Sequence, residues 1–421
     1  MDQRTDDGGA RERVDPSALS LDEARRRLLE AVAPVEGEET LALGAALGRT
    51  LSRGIDAPMD VPPFRASAMD GYALRSADAD RPLRVVSRSL AGHPAPDRLG
   101  PGECARITTG ARVPDDADAV VQQENVERAG DGVRVLEAPA PGRHVRPAGS
   151  DSARGDALAA PGAVLRAATV AVLAAHGIER VEVLRRPRVG LLSTGDELVE
   201  PGRALGAGMI HDANRPLLGA LLADTGVEIV DLGIVADTPE ALAATLAGRE
   251  DLDAWVSSGG VSVGEADHVR DALGDGGEVV FWKVAMKPGR PLAFGRVRGR
   301  PWFGLPGNPV SAAVTALLLL RPALARLCGR APRDARASAV AARVEGTLSK
   351  VPGRLEFQRG RLRIGADGRR YVSDAGQQES HGLRALARAD CLVELPAESR
   401  GALEGDSVTV HPFECFSEPP L

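Results

Sequence analysis

The chain has 421 residues, of which 43% are hydrophobic, so it is long enough for roughly two to four domains with buried cores. Its 52 basic and 59 acidic residues give a net charge of −7 and only 3% of residues are aromatic, which argues against a nucleic-acid partner. The four cysteines, Cys104, Cys328, Cys391 and Cys415, form no C-x-x-C pair, which indicates reduced thiols in a cytoplasmic protein rather than a zinc site or a disulfide framework.

The N-terminal part of the chain has helical patterns on either side of a β-rich insertion. Residues 1–14 are polar and contain no apolar segment, so they predict a disordered tail and not a signal peptide. Apolar spacing predicts one helix over 17–33 and another over 167–176, the second ended by Gly177. Frequent Pro and Gly, with short β-like runs at 83–87, 103–107 and 119–122, predict strands between them. We expect an N-terminal linker and dimerisation domain of residues 15–55 and 152–186, and an inserted β-rich domain of residues 56–151.

From residue 187 the pattern alternates between strands and helices. We predict strands over 189–193, 228–232, 254–257, 279–284 and 302–305, and helices over 215–224, 239–247, 267–273 and 309–321, the last interrupted by Pro322. This alternation predicts a multidomain α/β protein whose central domain, residues 187–330, has a mostly parallel sheet. The apolar run 312–320 is shorter than the roughly 18–20 residues of a membrane span, so no membrane partner is expected. Short strands after residue 330 predict a small C-terminal β-barrel over 331–421.

Three predicted strands of the α/β domain end in polar corners that contain glycine. The residues of these strand-end corners are Ser193, Thr194 and Gly195; Ser258, Gly259, Gly260, Ser262 and Gly264; and Pro306, Gly307, Asn308 and Pro309. Small residues let backbone N–H groups approach a ligand, and ligands bind at the carboxyl ends of parallel strands. Asn308 and Pro309 also suit the N-cap and first turn of a helix that faces this edge. The three corners together therefore predict one substrate-binding site.

Charged residues follow the second corner along the chain. Asp267 ends the segment SSGGVSVGEAD, and Lys283 and Lys287 lie near the end of the strand 279–284. Carboxylates and ammonium groups around an anion indicate a metal-assisted phosphate site, although a solvated basic edge is the alternative for the lysines. The glycine spacing matches neither the dinucleotide pattern G-x-G-x-x-G nor a Walker A motif, and the seven histidines lack metal-ligand spacing. We therefore exclude NAD-dependent and P-loop chemistry.

Seven motifs occur in one order along the chain: SAMDGYA, ITTGARVP, STGDEL, SSGGVSVGEAD, FWKVAMKPGRP, GLPGNPVS and EFQRG. With this ordered set the chain resembles the molybdopterin molybdenumtransferase family, which is related to the catalytic domain of gephyrin. The resemblance implies a transferase that takes adenylylated molybdopterin, releases AMP and inserts molybdenum from molybdate, with Mg²⁺ as cofactor. It also implies a homodimer in which each site combines the α/β domain of one subunit with the inserted domain of the other.

The functional positions of that family transfer to this chain by motif. The resemblance implies catalytic roles for Asp70, Thr109, Asp151, Glu197, Asp237, Asp267, Lys283 and Lys287, and substrate contacts at Arg359 and Ser380. Glu197, Asp237 and Asp267 would hold Mg²⁺, and the lysines would bind molybdate or a developing phosphate charge. Which carboxylate is a metal ligand and which is a general base stays open.

Two places depart from the family pattern. His211 and Ala213 replace an aromatic and a hydroxyl residue, and Glu379 replaces a small residue before Ser380. Two other functions remain as alternatives. The first is a binding scaffold, which would not need to keep the acidic and basic residues named above. The second is the adenylyltransferase of the same pathway, whose activity fits a shorter single-domain chain. That adenylyltransferase is also an expected docking partner.

Overall fold

A computed structural model of the protein describes residues 15–96, 98–259, 278–330 and 339–413. The expected tail 1–14, the expected helix over 267–273, Cys415 and the site residues Gly260, Ser262, Gly264 and Asp267 lie outside this part of the chain. In chain order the N-terminal elements are α1 (Leu21–Ala31), β1 (Glu38–Ala42), β2 (Ile55–Asp56), β3 (Ala66–Ser67), β4 (Gly71–Leu74), β5 (Leu83–Ser89), β6 (Glu103–Ile107), β7 (Ala119–Gln122), β8 (Val126–Ala129), β9 (Gly132–Val135), β10 (Val145–Arg146), β11 (Ala157–Ala159), α2 (Ala167–Ala175) and β12 (Arg180–Leu184).

Local sequence explains where the two N-terminal helices begin and end. The hydroxyl of Ser20 accepts a hydrogen bond from the N–H of Glu23 at 3.1 Å, which caps α1. α1 buries one apolar face against the α/β domain. Gly177 follows α2 with a φ of 73°, as the sequence predicts for a helix-ending glycine.

The segments before and after the insertion pack against each other. β1 pairs with β12 and β2 pairs with β11, both antiparallel. One apolar cluster joins the two segments, and it includes Leu43, Leu51, Leu165, Leu173 and Val183. This is the arrangement that an inserted domain between two halves of a linker domain requires.

The insertion forms a six-stranded sheet in the order β7-β4-β6-β5-β9-β8. All its pairings are antiparallel except β5 with β6. Alternating side chains supply a separate apolar cluster to each face, one around Ile107 and Val120 and one around Leu83 and Cys104. The β-rich insertion predicted from the sequence is therefore present.

The α/β region contains the central sheet. Its elements are β13 (Arg188–Thr194), β14 (Leu198–Val199), β15 (Ile210–His211), α3 (Asn214–Leu222), β16 (Glu228–Val235), α4 (Pro239–Ala247), β17 (Ala254–Ser258), β18 (Glu278–Lys283), β19 (Met286–Lys287), β20 (Pro291–Val297), β21 (Arg300–Leu305) and α5 (Pro309–Leu327). The strand order is β16-β13-β17-β21-β20-β18, with three parallel pairings and then two antiparallel ones at the β18 edge. The mostly parallel sheet is confirmed, and β20 is a strand that the sequence reading missed.

α5 corrects the expectation that Pro322 interrupts the helix. The helix is α-helical over Pro309–Thr315, π-helical over Ala316–Leu320 and α-helical again over Arg321–Leu327. Pro322 lacks an N–H, so the carbonyl of Leu318 loses its usual donor four residues on. The guanidinium of Arg25 donates to that carbonyl instead, with an Nε–O distance of 3.2 Å. A wider turn and a donor from α1 therefore let the helix pass through the proline.

The expectation of no membrane span was based on the apolar run 312–320, and α5 is longer than that run. By length and composition alone, its 19 residues could cross a membrane. However, 78% of its most apolar window is buried inside the protein, where residues such as Val314 and Leu318 join the central core. This burial is typical of the core helix of a globular domain.

The C-terminal region closes into a small barrel, as predicted. Its elements are β22 (Val340–Val344), β23 (Leu348–Ser349), β24 (Leu355–Ile364), β25 (Arg370–Asp374), α6 (Leu383–Arg388), β26 (Cys391–Leu395), β27 (Gly401–Ala402) and β28 (Ser407–Pro412). The strand order is β19-β24-β25-β22-β28-β26, and a further β24–β26 pairing closes the sheet. β19 of the α/β region pairs with β24, so the two regions share a sheet next to the third strand-end corner.

Candidate active site

A cleft of about 1140 Å³ lies between the strand ends of the central sheet and the C-terminal barrel. It brings together twelve of the predicted site residues: Thr194, Gly195, Glu197, Asp237, Ser258, Gly259, Lys287, Pro306, Gly307, Asn308, Pro309 and Ser380. Within the described residues, Ser193, Lys283, Arg359, Asp70, Thr109 and Asp151 lie outside the lining of this cleft. The three strand-end corners therefore converge on one cleft. The other predicted residues are divided between the cleft lining and positions outside it.

The second and third corners are held together by one amide side chain. Asn214, the first residue of α3, donates from Nδ2 to the hydroxyl of Ser258 at 2.7 Å and to the carbonyl of Gly307 at 2.6 Å. A carbonyl can only accept, so the Gly307 contact fixes which end of the amide faces the corners. Ser258 in turn donates to the carbonyl of Pro306 at 3.3 Å. Ser193 does not reach the cleft because its side chain is fully buried in β13.

Gly259 is required by the close approach of two corners. Its φ is 97°, and a Cβ at this position would lie 2.3 Å from the carbonyl oxygen of Thr194. Thr194 ends the neighbouring strand β13, so a side chain at residue 259 would push the first and second corners apart. The glycine predicted from the motif thus has a steric reason within the sheet.

Carboxylates occupy one side of the cleft. Glu197 follows the first corner, Asp237 follows β16, and both side chains are exposed in the cleft lining. The N–H of Asp237 donates to the carboxylate of Asp196 at 3.3 Å, which joins the two loops. Asp212 also lines the cleft but is 1% exposed, and it accepts bonds from the N–H groups of Asn214 and Arg215.

The donor set fits Mg²⁺ only together with a substrate. Among the described residues there is no group of three or more His, Cys, Asp or Glu that could hold a metal ion alone. Mg²⁺ usually binds one or two carboxylates together with waters and substrate phosphates, so it does not need such a group. Glu197 and Asp237 would supply these carboxylates.

The two predicted lysines lie in different surroundings. Lys287 lines the cleft, and its Nζ is 3.4 Å from a carboxylate oxygen of Glu356, which is 5% exposed. Lys283 instead donates to the carboxylate of Asp15 at 2.6 Å. The same carboxylate accepts from Arg290, which does line the cleft. The expectation that both lysines face one anion is therefore not met within this chain.

Two of the predicted residues of the inserted domain, Asp70 and Thr109, bond to each other. Thr109 donates to one carboxylate oxygen of Asp70 from its N–H at 2.6 Å and from its hydroxyl at 2.9 Å. These two hydrogen bonds, with the positive charge of Arg106, lower the pKa of the Asp70 carboxyl. Asp151 is exposed, and its N–H donates to the carbonyl of Val61.

The two predicted C-terminal residues have different positions. Ser380 lines the cleft, and its carbonyl accepts a bond from the N–H of Val310 in the first turn of α5. Arg359 is 1% exposed and donates to the carbonyls of Gln377 at 2.8 Å and Glu379 at 3.2 Å. Burial lowers the pKa of its guanidinium. Arg359 thus braces the loop that carries Ser380 and lies outside the cleft lining, so its expected substrate contact stays a prediction.

Several lining residues were not assigned a role from the sequence. They are polar or charged side chains of the C-terminal barrel and its loops, namely Ser349, Arg354, Glu356, Gln358, Gln378 and His381. They are scattered over 30 residues or more of strands and loops, so no local spacing marks them as a group. Arg290 was recognisable as a third cation of the FWKVAMKPGRP motif. His211, Ala213 and Glu379, which depart from the family pattern, also line the cleft.

Comparison with known families covers nearly the whole chain. The MoeA N-terminal region (domain I and II) matches residues 19–177. A probable molybdopterin binding domain matches residues 190–326, and the MoeA C-terminal region (domain IV) matches residues 341–413. The three matches follow one another in the order of the N-terminal, α/β and C-terminal regions described above.

Individual relatives match over most of their own length. A molybdopterin molybdenumtransferase of Haemophilus influenzae is 40% identical over 401 residues, covering 94% of this chain and 98% of that protein. A molybdopterin molybdenumtransferase of Nostoc sp. is 37% identical over 385 residues, covering 88% of each chain. The crystal structure of the molybdopterin biosynthesis MoeA protein of Pyrococcus horikoshii OT3 is 29% identical, with a TM-score of 0.79 over 93% of this chain and 99% of that one.

Proposed function

The chain belongs to the MoeA family, and from this premise we propose that it is a transferase that inserts molybdenum into molybdopterin in molybdenum cofactor biosynthesis. The observation that carries this proposal is the convergence of three strand-end corners, carboxylates and Lys287 on one cleft. Molybdopterin and molybdate are the substrates. The cleft, at about 1140 Å³, is large enough for a pterin that carries a nucleotide, since sites for drug-sized ligands have about 300–1,000 Å³.

We further propose that the pterin substrate arrives as its adenylylated form. Water attacks the AMP phosphorus and loses a proton, the phosphoanhydride bond breaks, and AMP and the molybdopterin phosphate separate. The two dithiolene sulfurs then replace oxygen atoms of molybdate, which leave as water after protonation. The strand-end corners support this step because their small residues let an extended phosphate chain lie against the backbone.

Glu197 and Asp237 are the proposed protein ligands of Mg²⁺, with Asp267 as a third candidate from the SSGGVSVGEAD motif. When bound, Mg²⁺ would neutralise phosphate charge and polarise the phosphoryl group. The carboxylate that does not bind the metal is available to hold the attacking oxygen and accept its proton.

Lys287 is the proposed anion contact of the cleft. Its 3.4 Å approach to Glu356 is longer than a close charge-assisted hydrogen bond, so an incoming oxyanion can compete for the ammonium group. Ser380 lies in the same lining and offers a hydroxyl donor. Lys283, held by Asp15, would take part only if that ion pair opens.

We propose a cytoplasmic homodimer in which Asp70, Thr109 and Asp151 of one subunit complete the cleft of the other. Their position outside the cleft of their own chain supports this arrangement. The molybdopterin adenylyltransferase is the proposed docking partner, because it would supply the adenylylated pterin.

The test is a single-turnover assay with purified protein, adenylylated molybdopterin, Mg²⁺ and molybdate. We expect AMP release and formation of active molybdenum cofactor, and both should require Mg²⁺. Substrate that stays bound without AMP release would support a binding scaffold. Consumption of ATP and free molybdopterin, with adenylylated molybdopterin accumulating, would support the adenylyltransferase step.

Two variants test the proposed roles. Asp237→Asn and Lys287→Met should each lower the rate of AMP release by about 10²-fold or more, as expected when a charge that acts on the transition state is lost. Glu30→Gln, on the exposed face of α1, is the control and should leave the rate unchanged. Normal rates in both site variants would remove this cleft from the reaction.

A further inference from the structure

Arg215 is the most highly connected buried cation next to the cleft. It follows Asn214 in α3 and is 8% exposed. Its guanidinium contacts three carboxylates: Nε binds Asp212 at 3.1 Å, Nη1 binds Asp231 at 2.5 Å and 2.6 Å, and Nη2 binds Glu200 with both distances at 2.5 Å. All three nitrogen atoms of the guanidinium are therefore engaged.

The partners of Arg215 belong to the two segments that carry the proposed metal ligands. Glu200 lies three residues after Glu197, with only β14 between them. Asp231 lies in β16, which leads directly to Asp237. The third partner, Asp212, is 1% exposed and anchors the start of α3. One side chain thus joins the loop of Glu197, the strand before Asp237 and the helix beneath the cleft.

The local backbone supports this link. β16 has a register shift opposite Leu191 and Leu192, and Gly233 adopts a φ of 78° there. The N–H of Gly233 donates to the carboxylate of Asp231 at 2.9 Å, which holds that carboxylate towards Arg215. On the other side, the carbonyl of Glu197 accepts from the N–H of Ile210, which closes β14 on β15.

We propose that Arg215 is a positioning residue that sets the separation of Glu197 and Asp237, and thereby the affinity of the cleft for Mg²⁺. This inference rests on the proposed function, since it concerns the same site. Arg215 touches neither substrate nor metal in this account. A planar guanidinium can hold three carboxylates in fixed directions, which the point charge of a lysine cannot do.

The test compares Arg215→Lys with Arg49→Lys. Arg49 is also 8% exposed and also binds a carboxylate, that of Glu39, but it lies in the N-terminal linker region. Both variants replace a buried, carboxylate-bound arginine by lysine, so Arg49→Lys controls for the general effect of this substitution on the fold. Residues that orient metal ligands typically change metal affinity by about 10–100-fold when they are replaced.

Two readouts are measured for each protein. The first is Mn²⁺ binding in the presence of AMP, from the free Mn²⁺ signal in electron paramagnetic resonance. The second is the Mg²⁺ concentration that gives half-maximal AMP release. In Arg215→Lys we expect Mn²⁺ affinity to fall and half-saturating Mg²⁺ to rise by about tenfold, with kcat at saturating Mg²⁺ and the KM for molybdate within about twofold of wild type. Arg49→Lys should match wild type in both.

A third variant keeps the inference testable if Arg215→Lys does not fold. Glu200→Gln removes one arm of the cluster at a side chain that is 45% exposed, and it should shift both readouts in the same direction by about threefold. Unchanged Mg²⁺ dependence in Arg215→Lys and Glu200→Gln, or an equal shift in Arg49→Lys, would overturn the inference while leaving the proposed function intact. AMP release by the wild-type protein without any divalent cation would overturn both.

Discussion

At the residue scale, Gly259 illustrates how tightly the strand-end corners approach one another. A methyl group there would contact the Thr194 carbonyl, and the position also requires a positive φ. Gly202 shares the positive φ, at 87°, but a Cβ there would meet no atom within 4 Å among the described residues. Alanine substitutions at these two glycines therefore distinguish the free-energy cost of the backbone conformation from that of steric contact.

We predict that Gly259→Ala destabilises the protein more than Gly202→Ala does. The positive φ should cost about 1–2 kcal/mol in both variants. Steric contact should add about 1–3 kcal/mol at residue 259 alone. Urea unfolding followed by tryptophan fluorescence measures the difference, because the buried Trp255 and Trp302 lie in the same sheet. Equal costs in the two variants would show that the corners can move apart.

At the element scale, α5 depends on a contact with α1. The Arg25 side chain occupies the carbonyl that Pro322 leaves without a partner. A buried carbonyl without a donor costs about 1–3 kcal/mol, so this contact should matter more than an exposed ion pair. Arg26, the next residue of α1, is exposed and bonds to Glu23 and Glu30, which makes it a matched comparison.

We predict that Arg25→Ala lowers the free energy of unfolding by about 1–3 kcal/mol. The loss should be smaller in a Pro322→Ala background, because the new N–H can donate within the helix. A double-mutant cycle should give a coupling of at least about 0.5 kcal/mol. Arg26→Ala should change stability by no more than about 0.5 kcal/mol. Additive effects of Arg25→Ala and Pro322→Ala would contradict the proposed replacement of the missing donor.

The elements also show what the sequence could predict. The five predicted strands of the central sheet are present, and three of them, β13, β17 and β21, are runs of mainly buried residues. β20 was missed because it begins with Pro291, directly after a Pro-Gly-Arg turn that resembles a solvated basic edge. The path of the chain through Pro322 was not predictable, since the compensating Arg25 lies nearly 300 residues away in the sequence.

The candidate site was also predictable from the sequence only in part. The strand-end corners and Lys287 were found because glycine, proline and charge are local signals at strand ends. The position of Lys283 was not, because its partner Asp15 is 268 residues away. Arg359 was likewise assigned to the substrate because the EFQRG motif carries no sign of the carbonyls it would bind.

At the scale of the whole molecule, we propose that the active site needs two chains. Asp70 directly precedes β4 of the inserted sheet, Asp237 follows β16 of the central sheet, and of the two only Asp237 lines the described cleft. If the other subunit completes the site, substitutions of these two residues in different chains affect the same site of the dimer and leave the second site intact. A dimer with Asp70 changed in one chain and Asp237 changed in the other would keep one site with both residues intact.

We predict that mixing an Asp70→Ala chain with an Asp237→Ala chain restores AMP release. Random exchange in a twofold dimer would return roughly a quarter of wild-type activity, since half the dimers are mixed and each has one intact site. Each variant alone, and each mixed with itself, should remain inactive. Mixed dimers verified by two different affinity tags but without activity would place both residues in the same chain's site, and activity of Asp70→Ala alone would exclude Asp70 from the site.

The pairing of β19 with β24 has a consequence for how small molecules reach the cleft. The two strands share a sheet, and Phe357 and Leu392 of the barrel lie in the same core as Val310 and Leu317 of the helix α5. A rotation of the barrel away from the α/β region would break both the backbone hydrogen bonds and the side-chain contacts between them. We therefore expect small molecules to reach the cleft without a hinge motion of the barrel.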